Sequence, residues 1–166
     1  LPYIYGTHNA WLVLFSIGIA IFASFMALQI AGMARSSERG FQRQTAIITG
    51  AIALGGGIWS MHFIGMLAFD ICTRVSFDPS LTLLSMLPGV AASWVALHLL
   101  ARPSINWRQL VVGGVLVGVG IGSMHYSGMA AMQTSLTLHY QPWLFALSLL
   151  VAVVMAMLAL WIRFGL

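Results

Sequence analysis

The chain has 166 residues, of which 60% are apolar and 6% charged, against about 45–50% and about 25% in an ordinary soluble domain. Seven basic and three acidic side chains are too few to solvate a globular surface, and the hydrophobicity is the opposite of a disordered chain's. The single cysteine excludes a disulfide framework and a four-cysteine zinc site, and a pI near 10 carried by scattered arginines in an apolar chain marks membrane topology rather than a nucleic-acid footprint.

A spanning helix needs about 20 largely apolar residues, and charged and turn-forming residues cut the chain into five such stretches. The first runs over about residues 9–33, with Asn9 placed to cap it. The second covers 45–69, the third 79–101, the fourth 109–133 and the fifth 142–162. None alternates in the manner of a barrel strand, and the N-terminus lacks the basic region and cleavage site of a signal peptide. The expected fold is therefore an all-α membrane bundle of five transmembrane helices, forming one domain over residues 1–166.

Arginine placement orients the bundle. Arg35, Arg39 and Arg43 fall between the first two spans, Arg102 and Arg108 between the third and fourth, and Arg163 after the fifth. The opposite side holds Arg74 together with Asp70 and Asp78. By the positive-inside rule the six-arginine side is cytoplasmic, with the N-terminus periplasmic and the C-terminus inside.

The chain also repeats itself. Residues 55–69 read GGGIWSMHFIGMLAF and residues 118–132 read GVGIGSMHYSGMAAM, with nine of fifteen positions identical at an offset of 63. The odd spans echo one another through Ser16, Ser85 and Ser148 and through Ala27, Ala96 and Ala159. The unit is a two-span hairpin, giving repeats over about 9–69 and 79–133 and a half-repeat over 142–163. A half-repeat leads us to expect a piece of a longer protein.

Both Met-His pairs lie near the outer ends of their helices, some 10 Å in at about 1.5 Å rise per residue. His62 and Met66 are four apart and share a helix face, as do His125 and Met129. Met61 and Met124 project about 100° away from that face at 3.6 residues per turn. His8 precedes the first span on the same side, and His139 and Cys72 fall in outer loops. Gly114, Gly118 and Gly122 form overlapping small-xxx-small motifs that let helices approach closely. Packing of the second span on the fourth through them is expected to bring the two motifs together.

Histidine inside a span is costly and usually functional. Imidazole with thioether is a soft donor set that suits copper, Cu(I) in particular. Zinc prefers His, Cys and carboxylate, and calcium and magnesium require oxygen donors that are scarce here. The bland reading assigns Met26, Met33, Met86, Met155 and Met157 to packing and His98, near the inner end of the third span, to the membrane interface. Phe63 stands where the second copy has Tyr126, whose hydroxyl can orient a neighbouring imidazole. With three acids in all, general acid–base catalysis has little to work with, so this segment reads as non-enzymatic.

At Met61-His62-Phe63-Ile64 and Met124-His125-Tyr126-Ser127 the sequence resembles the MHYT domain, a bacterial integral-membrane sensor module named for its Met-His-Tyr-Thr motif. The resemblance extends over nearly the whole chain. The first copy departs in lacking the tyrosine and threonine, and the second has serine for threonine. The resemblance implies three two-helix repeats with the motifs near the periplasmic face of the inner membrane. It further implies copper bound by His8, Met61, His62, Met66, Met124, His125 and Met129, and sensing of a diatomic gas (O2, CO or NO) or of redox or copper status. The expected partners are the lipid bilayer, the gas and cytoplasmic GGDEF and EAL output domains that make and degrade cyclic di-GMP; a homodimer is compatible with the reading and nucleic acid is not expected. Three rivals stand beside it: a metal or substrate transporter, which would bind nearer the midplane; a b-type haem protein with His62 and His125 as axial ligands; and a membrane anchor whose histidines only pack.

Overall fold

The computed structural model describes residues 7–70, 75–133 and 141–165. Five helical segments of 22 to 28 residues are long and apolar enough to cross a membrane, as the sequence predicts. At about 1.5 Å per residue they measure roughly 33 to 42 Å, which clears a hydrocarbon core of about 30 Å. Exposed Trp11 and Trp143 at one end, and Phe41 and Trp107 at the other, supply the aromatic belts of a bilayer protein.

Helix α1 (Ala10–Ser36) starts where the Asn9 side chain accepts from the backbone N–H of Trp11 at 3.0 Å. Helix α2 (Gly40–Leu67) follows a short turn. The third span consists of α3 (Pro79–Leu84) and α4 (Met86–Leu100), where the sequence suggests one uninterrupted helix. Pro88 has no N–H to offer the Leu84 carbonyl, and its ring crowds that carbonyl, so the helix breaks at Ser85. Trp59 of α2 fills the break, donating from Nε1 to the Thr82 carbonyl at 2.9 Å and to Ser85 Oγ at 3.1 Å. Helix α5 (Trp107–Ala130) opens with a capping box between Asn106 and Gln109. Helix α6 (Pro142–Phe164) opens with proline and closes on left-handed Gly165 at φ 64°.

The helices form a row in which α2 lies between α1 and α4, and α5 between α4 and α6. Lipid offers no hydrophobic drive for helices to associate, so close van der Waals fit must hold them. Glycines supply it, and they do so twice. A Cβ on Gly55 would stand 2.6 Å from Val90 Cα of α4, and one on Gly118 would stand 2.6 Å from Val153 Cα of α6. Gly57 abuts Ala23 of α1 just as Gly120 abuts Ala92 of α4. Each pair is its predecessor moved one repeat along, so the sequence duplication is also a duplication of packing.

These contacts correct one expectation. Gly114, Gly118 and Gly122 face Met157, Val153 and Leu149 of α6, not α2. Helix α4 occupies the space between α2 and α5 at mid-depth and leaves those two helices to meet at the ends that carry the Met-His pairs.

Two short antiparallel ladders, each two residues per strand, tie together the helix ends that carry the Met-His pairs. Strand β1 (Thr7–His8) pairs with β2 (Phe69–Asp70), and β3 (Ser76–Phe77) with β4 (Met132–Gln133). The second ladder again repeats the first. Asn9 N–H donates to the Ala68 carbonyl and Asp78 N–H to the Ala131 carbonyl, at 2.8 and 2.9 Å. At the other end lie Arg35, Arg39, Arg43, Arg102, Arg108 and Arg163, and Arg43 Nη2 donates at 3.4 Å to the carbonyl of Ala101, which caps α4.

The seams predict an asymmetry among glycines. Gly55→Ala and Gly118→Ala put a methyl into a neighbouring helix backbone, which cannot yield cheaply. Overpacking of this kind costs about 1–3 kcal/mol, so both variants should unfold at lower temperature in detergent. Gly18→Ala and Gly32→Ala, whose new methyls meet nothing within 4 Å, should not.

Candidate metal centre

The last two turns of α2 and α5 carry the two Met-His motifs to the same end of the bundle, where the imidazoles meet. His62 Nδ1 and His125 Nδ1 are 3.3 Å apart, with ring centroids 4.8 Å apart and planes at 68°. Gly128 makes this approach possible: a Cβ there would stand 2.7 Å from His62 Nε2 and 3.0 Å from its Cδ2. Phe63 braces His62 edge-on at 5.2 Å, and Trp59 lies 5.0 Å behind Phe63. The matching Gly65 has nothing within 4 Å of its would-be Cβ.

The imidazoles line a cavity of about 760 Å³ together with Met61, Met66, Met129 and Met132. Ser16 and Asn9 of the α1 end and Asp70 of the β1–β2 ladder complete the polar part of its wall. Neither Ser16 nor Asp70 stands out as a site residue in the sequence. Ser16 is visible only as one of three serines at matching repeat positions, and Asp70 reaches the cavity through a ladder too short to leave a sequence pattern.

Of the seven residues expected around a metal, five come together: His62, His125, Met61, Met66 and Met129. Met124 is buried at 2% exposure and packs over Gly89 of α4, away from the cavity lining. His8 is exposed on β1 and its ring leans on Phe69 at 4.9 Å and 45°, at the rim. Cys72 and His139 lie outside the described residues.

The donor chemistry can be tested for fit. Two nitrogens about 2.0 Å from one ion at a tetrahedral angle stand about 3.3 Å apart, the separation of the two Nδ1 atoms, which is also a hydrogen-bond distance between the rings. His62 Nε2, the other ring nitrogen, lies against Gly128 and is buried without a hydrogen-bond partner among the described residues, which leaves Nδ1 as the nitrogen that faces His125. No three His, Cys, Asp or Glu side chains cluster among the described residues, so further donors to an ion held here would come from thioethers. That set suits a soft ion and not a hard one.

The second motif has a link outward that the first lacks. The Tyr126 ring stands edge-on to His125 at 5.0 Å and against Phe145 of α6 at 4.4 Å. Its hydroxyl meets Ser148 Oγ of α6 at 2.5 Å. Phe63 carries no hydroxyl for such a bond.

The fold and this end of it define a multi-pass membrane domain built from tandem hairpins, each carrying one Met-His pair. Residues 55–113 and 118–166 match the MHYT model, described as a bacterial signalling protein N-terminal repeat, and the chain belongs to that family. It is 44% identical over 161 residues to the bifunctional diguanylate cyclase/cyclic di-GMP phosphodiesterase MucR of Pseudomonas aeruginosa, covering 97% of this chain and 23% of that protein. It is 39% identical over 157 residues to the cyclic di-GMP phosphodiesterase NbdA of the same organism, covering 93% of this chain and 19% of the relative. The signaling protein YkoW of Bacillus subtilis is 32% identical over 163 residues, which is 98% of this chain and 20% of the relative. The chain thus spans about a fifth to a quarter of the length of these relatives, a segment the size of the membrane domain alone. No solved structure matches it.

Proposed function

We propose that this membrane signalling domain holds copper between His62 and His125 and reads a diatomic gas, or copper or redox status, at the periplasmic face of the inner membrane. The observation that carries the reading is the 3.3 Å approach of two imidazole nitrogens, one from each repeat, inside a methionine-lined cavity. His62 and His125 would supply nitrogen, and Met66 and Met129 sulfur. A soft ion so held has the electronic character to bind O2, CO or NO or to change oxidation state. The six arginines at the far end support a cytoplasmic assignment for that end, which puts the cavity outside.

The contact from His125 through Tyr126 to Ser148 supports an output route along α6. We place a cyclic di-GMP output domain beyond α6 in the same chain, on the named activities of MucR and NbdA. The b-type haem reading fits less well. His62 and His125 would have to hold a haem from opposite sides, and their Nδ1 atoms lie 3.3 Å apart with no room for a macrocycle between the rings. The end-of-helix position of the cavity also sits poorly with a transporter, which binds near the midplane.

The test is elemental analysis and an optical spectrum of purified protein after anaerobic loading with Cu(I), with Zn(II) in parallel. Near-stoichiometric copper, retained over zinc and without a Soret band, is expected. Protein that retains no copper overturns the proposal.

A further inference from the structure

The arginine end holds a cavity of its own. Between α4 and α5 a groove of about 400 Å³ opens, with His98, Arg102 and Arg108 at its mouth and Trp94, Val112 and Leu116 along its length. Arg102 Nη2 lies 3.3 Å from His98 Nε2, and Trp94 stacks on the His98 ring at 5.4 Å and 29°. His98 Nδ1 is buried with no hydrogen-bond partner among the described residues. Arg108 is exposed in the first turn of α5, and the only acid in the turns at this end is Glu38, between α1 and α2.

The repeat shows that the fold does not require this arrangement. In the first hairpin the positions of Trp94, His98, Arg102 and Arg108 are held by Phe25, Gln29, Met33 and Thr45. The groove between α1 and α2 is lined by apolar side chains such as Phe15, Phe22 and Ile30. At those four positions the first hairpin is uncharged and the second carries two cations, while Arg35, Arg39 and Arg43 occupy other places around the first hairpin's turn. Below the cations the groove turns apolar and faces outward: Trp94 is 41% exposed, Val112 58% and Leu116 52%.

We propose that this groove binds an anionic phospholipid, its phosphate held by Arg102 and Arg108 and its acyl chain laid along Trp94, Val112 and Leu116. Cation pairs at the end of an interhelical groove are the chemistry that selects lipid headgroups by charge, and paired guanidinium groups suit phosphate oxygens. A free phosphate would use the cations but not the groove. The groove lies at the helix ends opposite His62 and His125, and it shares no lining residue with their cavity, so it stands or falls independently of the copper reading.

The experiment is native mass spectrometry of the purified chain in detergent with phosphatidylglycerol, with phosphatidylcholine of the same acyl chains, and with inorganic phosphate as competitor. Phosphatidylglycerol should be retained about tenfold over phosphatidylcholine and resist millimolar phosphate. Arg102→Gln with Arg108→Gln should remove that preference. Arg35→Gln with Arg39→Gln, which takes the same charge from another turn at the same end, should leave it intact. Arg108→Glu serves as a single exposed change that inverts one cation without touching the helix packing, and it should abolish the preference on its own. Equal loss in the two arginine pairs, displacement by phosphate, or equal retention of both lipids would each overturn the proposal.

Discussion

A chain carrying His62→Ala and His125→Ala is expected to lose the copper binding proposed for this site and keep its fold. Altering a partner that merely orients a metal ligand costs about 10–100-fold in affinity, so deleting both imidazoles should exceed about 100-fold. The fold should survive because the helices are held by the glycine seams at Gly55, Gly118 and Gly120, not by the ring pair. The methionines separate the site further. Met66→Leu with Met129→Leu removes sulfur from the cavity wall and should weaken copper binding. Met124→Leu should not, because Met124 is buried over Gly89, although it belongs to the same motif as His125. Elemental analysis beside thermal unfolding reads both quantities, and copper content unchanged in the double histidine variant sinks the site.

The five spans were legible because a bilayer leaves a strong imprint: long apolar runs cut by arginines. Their ends fell within a few residues of the helices, and Asn9 was legible as a cap because its side chain can do little else before an apolar run. The break at Ser85 was harder to read, since Pro88 marks a kink without showing that Trp59 fills it. The glycine stripe on α5 announced a close neighbour but not which one. A small residue states that something fits, and only the fold says that Val153, not α2, is what fits. The two Met-His copies also look alike in sequence and differ in place. The position of Gly89 in α4 is Ala20 in α1, and a methyl at Gly89 would stand 3.3 Å from Met124 Cγ. Met124 therefore sinks into its neighbour, while Met61 is left to line the cavity. The meeting of His62 with His125 was legible as a consequence of equal depth, while the packing that produces it was not.

Gly128→Val is expected to disable the same site without touching a ligand. The would-be Cβ at 2.7 Å from His62 Nε2 and 3.3 Å from Phe63 Cζ leaves the imidazole nowhere to stand, and valine adds two methyls beyond it. The ring can turn away, because it sits near the helix end, but turning carries Nδ1 off its 3.3 Å approach to His125. Holding the ring in place against the methyls costs about 1–3 kcal/mol, so copper binding should weaken about tenfold to a hundredfold while the spans remain folded. Gly56→Val is the control. It adds the same methyls to α2 at a glycine outside the cavity lining, where nothing lies within 4 Å and where the second repeat already carries Val119, and it should leave copper affinity within a few-fold of the parent. A site that needs only the chemical presence of two histidines would bind equally well in both variants. A site that needs them pressed together against Gly128 would distinguish the two, and copper titrations of the pair decide between these accounts.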